Sequence, residues 1–405
     1  MWSQINVTGK IILICSAMLA CCASSAIEDM KKPASSSDDN VHLHDGFQNA
    51  RIAFERGTAT VAFIGGSITE MDGYRPMVSD ILRRRFPDTA FTFINAGISS
   101  TCSTAGAFRF DADVLSRGPI DLLFIEFAVN DDQDAHHTRA TCIRGMEGII
   151  RHAFRANPRT RIVITHFPNE HIIRTLQSDS VPLTIEAHTA VANHYGIPVI
   201  NLASNVADQL TAGTLTWEQY GGVHPAPRGN AIAARMIDDL FTRVWDTPLP
   251  QSSIANRQSL ITNSLPAPLD PLSYECGRLI DPAAAAIRGF TLDIPDWPTL
   301  KGSIRSRHAK LPLLHAAVPG AEATLAFTGT AIGASILAGP DASTVETSID
   351  GGPFQSTALL HAYSKDLHYP RTVLFADGLP DGPHTLTLRI PPSGGAVRIL
   401  HFVAN

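Results

Sequence analysis

Between residues 45 and 245, short apolar runs of strand length alternate with longer amphipathic segments. A chain with that rhythm is constrained to wrap helices around a parallel β-sheet. Five runs stand out, at residues 61–64, 91–94, 122–125, 162–165 and 198–200. Their continuous apolar character predicts strands buried on both faces. In the intervening segments, Tyr74, Met77, Val78, Ile81 and Leu82 recur at helical spacing around Pro76, before Arg83, Arg84, Arg85 and Pro87 close the stretch. A second stripe joins Ile143, Met146, Ile150 and Phe154, and a third runs from Ile232 through Met236, Ile237, Leu240 and Phe241 to Val244. Each stripe predicts a helix face turned to a core.

Open α/β sheets carry their sites at the carboxyl ends of the strands, and four such positions are chemically distinctive. The first run stops at Gly65 and Gly66 and delivers Ser67 to the start of a helix; the bland alternative is a plain turn with a helix-capping serine. The second runs into Asn95, Ala96 and Gly97, placing a glycine N–H at the sheet edge. The third continues through Glu126 to Asn130 and Asp131, ending in a side-chain amide. Before the last helix, Gly221, Gly222, Val223, His224 and Pro225 set an imidazole on a short loop. Ester hydrolysis needs a nucleophile, a base within hydrogen-bond reach and donors aimed at a developing oxyanion. Ser67, His224, and the Gly97 N–H with the Asn130 amide supply that set in order along the chain.

These four blocks resemble those of the SGNH or GDSL hydrolases, over roughly residues 50–245. The resemblance implies a flavodoxin-like three-layer α/β/α fold and hydrolysis through an acyl-enzyme. It makes Ser67 the nucleophile, His224 the base, and the Ser67 N–H, Gly97 N–H and Asn130 amide the oxyanion hole. No cofactor or metal is implied. Two departures matter: Gly66 stands where the family name has aspartate, and Gly221 stands three residues before His224, where the aspartate that orients the histidine usually lies. Without that acid, the resemblance points to a Ser67/His224 dyad whose imidazole is oriented by a backbone carbonyl. Glu218 is the alternative acid, and Asp131 and Asp132 are further carboxylates expected near the site.

The remaining chain supplies context. Lys10 and the apolar run at residues 11–20 predict an export leader over residues 1–26, with Cys21 as the alternative, lipid-bearing processing site. Residues 27–44 read as a solvated tether, 45–247 as the hydrolase domain and 248–271 as a Pro/Ser/Asn-rich connector. In residues 272–405, Val345, Thr347 and Ile349 alternate up to Asp350, Gly351 and Gly352, and Leu386, Leu388 and Ile390 alternate before a final strand near Val397. This predicts a β-sandwich, jelly-roll-like, without helices. His361, Tyr363, Lys365, His368 and Arg371 fall together in one loop-like stretch, either a sugar-binding edge or an unliganded polar loop. A formal charge of -6 gives no electrostatic reason to expect nucleic acid. Outside the leader, Cys102, Cys142 and Cys276 lack zinc-ligand spacing, and export permits one bridge, Cys102 to Cys142, with buried free thiols as the alternative. The resulting expectation is an exported serine esterase acting on an acylated, above all acetylated, polysaccharide. Small-molecule or lysophospholipid acylhydrolysis is the runner-up, and a non-catalytic glycan-binding protein on a decayed hydrolase scaffold is the reading from another class. Neither oligomeric state nor the sugar is specified.

Overall fold

The computed structural model describes residues 40–43, 47–246 and 265–405. The leader, Cys21 and most of the tether and connector lie outside these residues. Among the described residues, no helix is long and apolar enough to cross a membrane.

The first unit is a six-stranded sheet of β1 (Val41–His42), β2 (Thr58–Gly65), β3 (Ala90–Gly97), β4 (Leu122–Glu126), β5 (Arg161–Thr165) and β6 (Val199–Ile200). Their spatial order is β1-β6-β5-β4-β2-β3, with all pairs parallel except the antiparallel β1–β6 edge. The five predicted strands are present. The sixth, Val41–His42, corrects the tether reading, because two residues are too short to show any period in the sequence. Side-chain alternation sorts the strands into two cores. Val61, Phe63, Leu122, Phe124 and Val163 face the helices Gln48–Phe54, Tyr74–Arg85 and Pro227–Trp245. Ala62, Ile64, Leu123, Ile125 and Ile164 face Ser103–Asp113, Arg139–Ala156 and Leu183–Tyr195. The result is a three-layer α/β/α unit. Omitting β1, its strand order is the doubly wound, flavodoxin-like one, whose switch point falls between β2 and β4.

The second unit packs a six-stranded and a five-stranded sheet, both with antiparallel ladders, over a shared apolar core that includes Leu314, Leu325, Ile336, Val345, Leu386 and Phe402. The predicted hairpin joins Thr344–Ile349 to Gln355–Ala358. Asp350 and Gly351 carry φ of 52° and 74°, the left-handed pair that a tight hairpin turn demands. Only short 3₁₀ turns interrupt the described strands here.

The two units share a core. Tyr274, Ala331 and Val403 join the cluster beneath the helices Ser103–Asp113 and Arg139–Ala156. The Tyr274 ring stacks on Phe108 at 5.1 Å between centroids. Around it Arg144 pairs with Asp270 at 2.9 Å and with Asp377 at 2.7 Å.

Candidate active site

Ser67 opens the short helix Ser67–Glu70, and Gly66 is its N-cap. The serine hydroxyl therefore does not cap the helix; it meets His224 Nε2 at 2.8 Å. Gly66 is required by space. A Cβ built on it would stand 1.9 Å from Asn130 Oδ1, so the aspartate of the family pattern could not enter without expelling the Asn130 amide.

His224 is exposed on the turn that precedes the helix Pro227–Trp245. A buried polar chain ties this turn to the serine helix. Asn230 Nδ2 donates to the Pro225 carbonyl at 2.5 Å, and its Oδ1 accepts from the Tyr74 N–H at 2.8 Å. Tyr74 Oη meets Thr69 Oγ1 at 3.1 Å. Gly221 has φ of +110°, and a Cβ there would lie 1.9 Å from the Ala226 nitrogen. No acid can occupy that position in this loop. Glu218 sits exposed on the helical turn Trp217–Tyr220, and among the described residues no hydrogen bond joins it, or any backbone carbonyl, to His224.

The two other donors are already engaged. The Gly97 N–H donates to Asn95 Oδ1 at 2.9 Å. Asn130 begins a π-helical turn, Asn130–Asp134, and its Nδ2 donates to Asp134 Oδ2 at 2.6 Å. The second unit reaches both. Arg305 donates to the Ser99 carbonyl and to Ser100 Oγ, each at 2.8 Å, while Arg307 pairs with Glu70 and donates to the Gly97 carbonyl at 3.1 Å. Tyr369 Oη donates to Asp134 Oδ1 at 2.8 Å, and His361 Nε2 to the Asp134 carbonyl at 2.8 Å. The polar stretch expected to be a loop is thus a 3₁₀ turn and strand start docked on the Asn130 turn, with Tyr363 half exposed beside it. None of Arg305, Arg307, Asp134 or Tyr369 was marked by a sequence motif; only the four-residue spacing of Asn130 and Asp134 hints at a contact.

Asp131 and Asp132 make their hydrogen bonds elsewhere, and among the described residues none joins either to His224. Asp132 binds Asn169 Nδ2 at 2.8 Å and His171 Nδ1 at 2.9 Å. Asp131 is buried and accepts from the Ser103 N–H at 2.8 Å and its hydroxyl at 2.6 Å, with His188 Nε2 at 2.9 Å and His137 Nδ1 at 3.3 Å. Burial alone would lower the His188 pKa, but the Asp131 carboxylate and the Cys142 sulfur beside it outweigh burial and raise it to about 9. The proposed Cys102–Cys142 bridge is absent: both are buried free thiols. Each lies within 4.8 Å of an Asp131 carboxylate oxygen, Cys102 grouped with His137 and Cys142 with His188.

At the end of β4, Glu126 is fully buried. Burial pushes its pKa up to about 7, partly opposed by the Gly66 N–H and the Thr69 hydroxyl that donate to it. A cavity of about 420 Å³ among Phe54, Arg85 and Trp245 lies at the amino ends of β2 and β3, remote from this chemistry.

An imidazole nitrogen on a serine hydroxyl, with backbone and amide donors at neighbouring strand ends, can activate the serine as a nucleophile and stabilise an oxyanion. A two-domain esterase active on acetylated mannans, crystallised with mannopentaose, is 20% identical, with 91% of this chain and 97% of that one covered at a TM-score of 0.72. A second structure of a two-domain esterase active on acetylated mannans gives 21% identity, 90% and 97% coverage and a TM-score of 0.70. These likenesses show that the two-unit architecture is shared. No curated protein sequence matches the chain. Residues 63–232, within the α/β unit, match the model of the GDSL-like lipase/acylhydrolase family, and this similarity marks the chain as an ester-bond hydrolase.

Proposed function

We propose that this protein is an exported serine esterase that removes O-acetyl groups from a polysaccharide through an acyl-enzyme. The observation that carries the reading is the 2.8 Å contact of His224 Nε2 with Ser67 Oγ at the switch point of the sheet, on an exposed surface. An ester displayed along a polymer can approach such a surface side-on. Likeness over both units to an esterase active on acetylated mannans supports a glycan substrate.

In this mechanism the Ser67 hydroxyl attacks the acetyl carbonyl and His224 Nε2 takes its proton. The Ser67 and Gly97 N–H groups and the Asn130 amide stabilise the tetrahedral oxyanion. His224 then protonates the departing sugar oxygen, leaving acetyl-Ser67, and water activated by His224 releases acetate. The Gly97 N–H must exchange Asn95 Oδ1 for the substrate oxygen as the site fills. His224 works in a dyad, with Glu218 outside it. Export through residues 1–26, with a lipid on Cys21 as the alternative outcome, brings the enzyme to its polymer.

The test is acetate release from a panel of acetylated mannans, acetylated xylans and a generic aryl acetate, with Ser67→Ala as control. Acetate from a glycan that disappears with Ser67→Ala is expected. Turnover of the aryl ester alone would refute the polysaccharide assignment, and undiminished turnover by folded Ser67→Ala would refute the nucleophile.

A further inference from the structure

A side-chain bridge joins the β-sandwich to the turn that carries Asn130. Asn130 lies on one strand end of the α/β unit and Tyr369 begins a strand of the other unit, yet a single side chain connects them. Asp134 accepts from Asn130 Nδ2 through one carboxylate oxygen at 2.6 Å and from Tyr369 Oη through the other at 2.8 Å. The Asp134 backbone is fixed as well, because its carbonyl accepts from His361 Nε2 at 2.8 Å. His361 in turn stacks flat on Tyr369, at 4.3 Å between centroids and 5° between planes.

This bracing acts on an unusual piece of backbone. Asn130–Asp134 is a π-helical turn, closed by the Ala135 N–H donating to the Asn130 carbonyl at 2.9 Å. Such turns are less favourable than α-helix and recur at functional sites. The Asn130 amide itself has little freedom. Its buried Oδ1 has no hydrogen-bond partner and abuts Gly66, where even a Cβ would not fit. A primary amide nitrogen has two protons; with one committed to Asp134, the other is left for a substrate oxygen.

We propose that Asp134 and Tyr369 are positioning residues for the oxyanion hole, so that the β-sandwich sets the aim of the Asn130 amide and thereby the turnover number. The inference rests on the reading of Asn130 as an oxyanion donor. Its physical basis is that such a donor works only when held at the place the oxyanion will occupy, and small misplacements are costly in rate. Burial raises the Asp134 pKa, while the donors Tyr369 and Asn130 lower it, in keeping with a carboxyl held inside the protein for its contacts.

The experiment is a double-mutant cycle in the full-length chain on an aryl acetate, with thermal unfolding measured for each variant. Tyr369→Phe deletes one hydroxyl and is expected to lower kcat severalfold, and Asp134→Ala by roughly ten- to a hundredfold, with KM changed less than about twofold. In an Asn130→Ala background both substitutions should cost nothing further, because they act only through that amide. Equal losses in both backgrounds, losses confined to KM, or no loss from either substitution would overturn the proposal. Should Asp134→Ala not fold, Tyr369→Phe decides alone. The esterase reading is judged separately by Ser67→Ala: an inactive Ser67→Ala beside a fully active Tyr369→Phe removes the bracing and leaves the esterase.

Discussion

At the scale of single residues, the contact of Ser67 with His224 and the wedging of Asn130 against Gly66 dictate what substitutions should do. Asn130→Ala removes one oxyanion donor and is expected to reduce kcat by roughly a hundredfold to a thousandfold, with little change in KM; an effect on KM alone would make Asn130 a binding residue. Glu218 has no bond to His224, so Glu218→Gln should change turnover only a fewfold, whereas His224→Ala should nearly abolish it. A loss with Glu218→Gln approaching that of His224→Ala would establish Glu218 as the orienting acid. Gly221→Asp, which writes the family's acid back into the sequence, should fail to raise activity and should lower the melting temperature. The residue there must take φ of +110° with the Ala226 nitrogen where its Cβ would be. Ser67, Gly97 and Asn130 could be read in the sequence because each lies at or just after a strand end, and His224 because it stands on a Gly/Pro turn before a long helix. Asp134 and Tyr369 could not: they lie 235 positions apart, and neither stands in a motif.

At the scale of elements, β4 carries a titratable group into the core beside the nucleophile turn. Glu126 has an ordinary pKa of 4.5 and is raised by burial to about 7. Between those values the unfolded chain has released this proton while the folded chain still holds it, so stability falls as pH rises from about 4.5 to 7. The full penalty is on the order of 3 kcal/mol. Glu126→Gln keeps an acceptor for the Gly66 N–H and removes the ionisation. Its melting temperature, compared with that of the unaltered chain, should gain more at pH 8 than at pH 4.5. An equal difference at both would show that Glu126 ionises normally. The strands and main helices were legible because buried parallel strands and amphipathic helices write different periods. Val41–His42 is too short to write one, and no spacing rule in the sequence groups Cys102 with Asp131 and His137 or Cys142 with Asp131 and His188.

At the scale of the whole molecule, the side chains shared between the units make unfolding a joint event. Tyr274→Ala would open a cavity between Phe108 and the flanking helices, at a cost of roughly 3–5 kcal/mol. Calorimetry should show one transition for the unaltered chain, and that whole transition should move in Tyr274→Ala. Two transitions, of which only one moves, would show that the units are energetically separate. The sequence marked the two units by their change in texture but gave no sign of this join, since Tyr274, Ala331 and Val403 look like ordinary core residues of a sandwich. The shared core also limits how such enzymes can be recombined. A chimera that grafts another esterase's sandwich onto this α/β unit would inherit a foreign surface against Phe108, Gly148 and Arg144. Gly148 has room for no side chain, because a Cβ there would meet the Tyr274 carbonyl oxygen at 2.7 Å. Exchange of the two halves is therefore tolerated only as a matched set, with Phe108, Arg144 and Gly148 travelling together with Asp270, Tyr274 and Asp377.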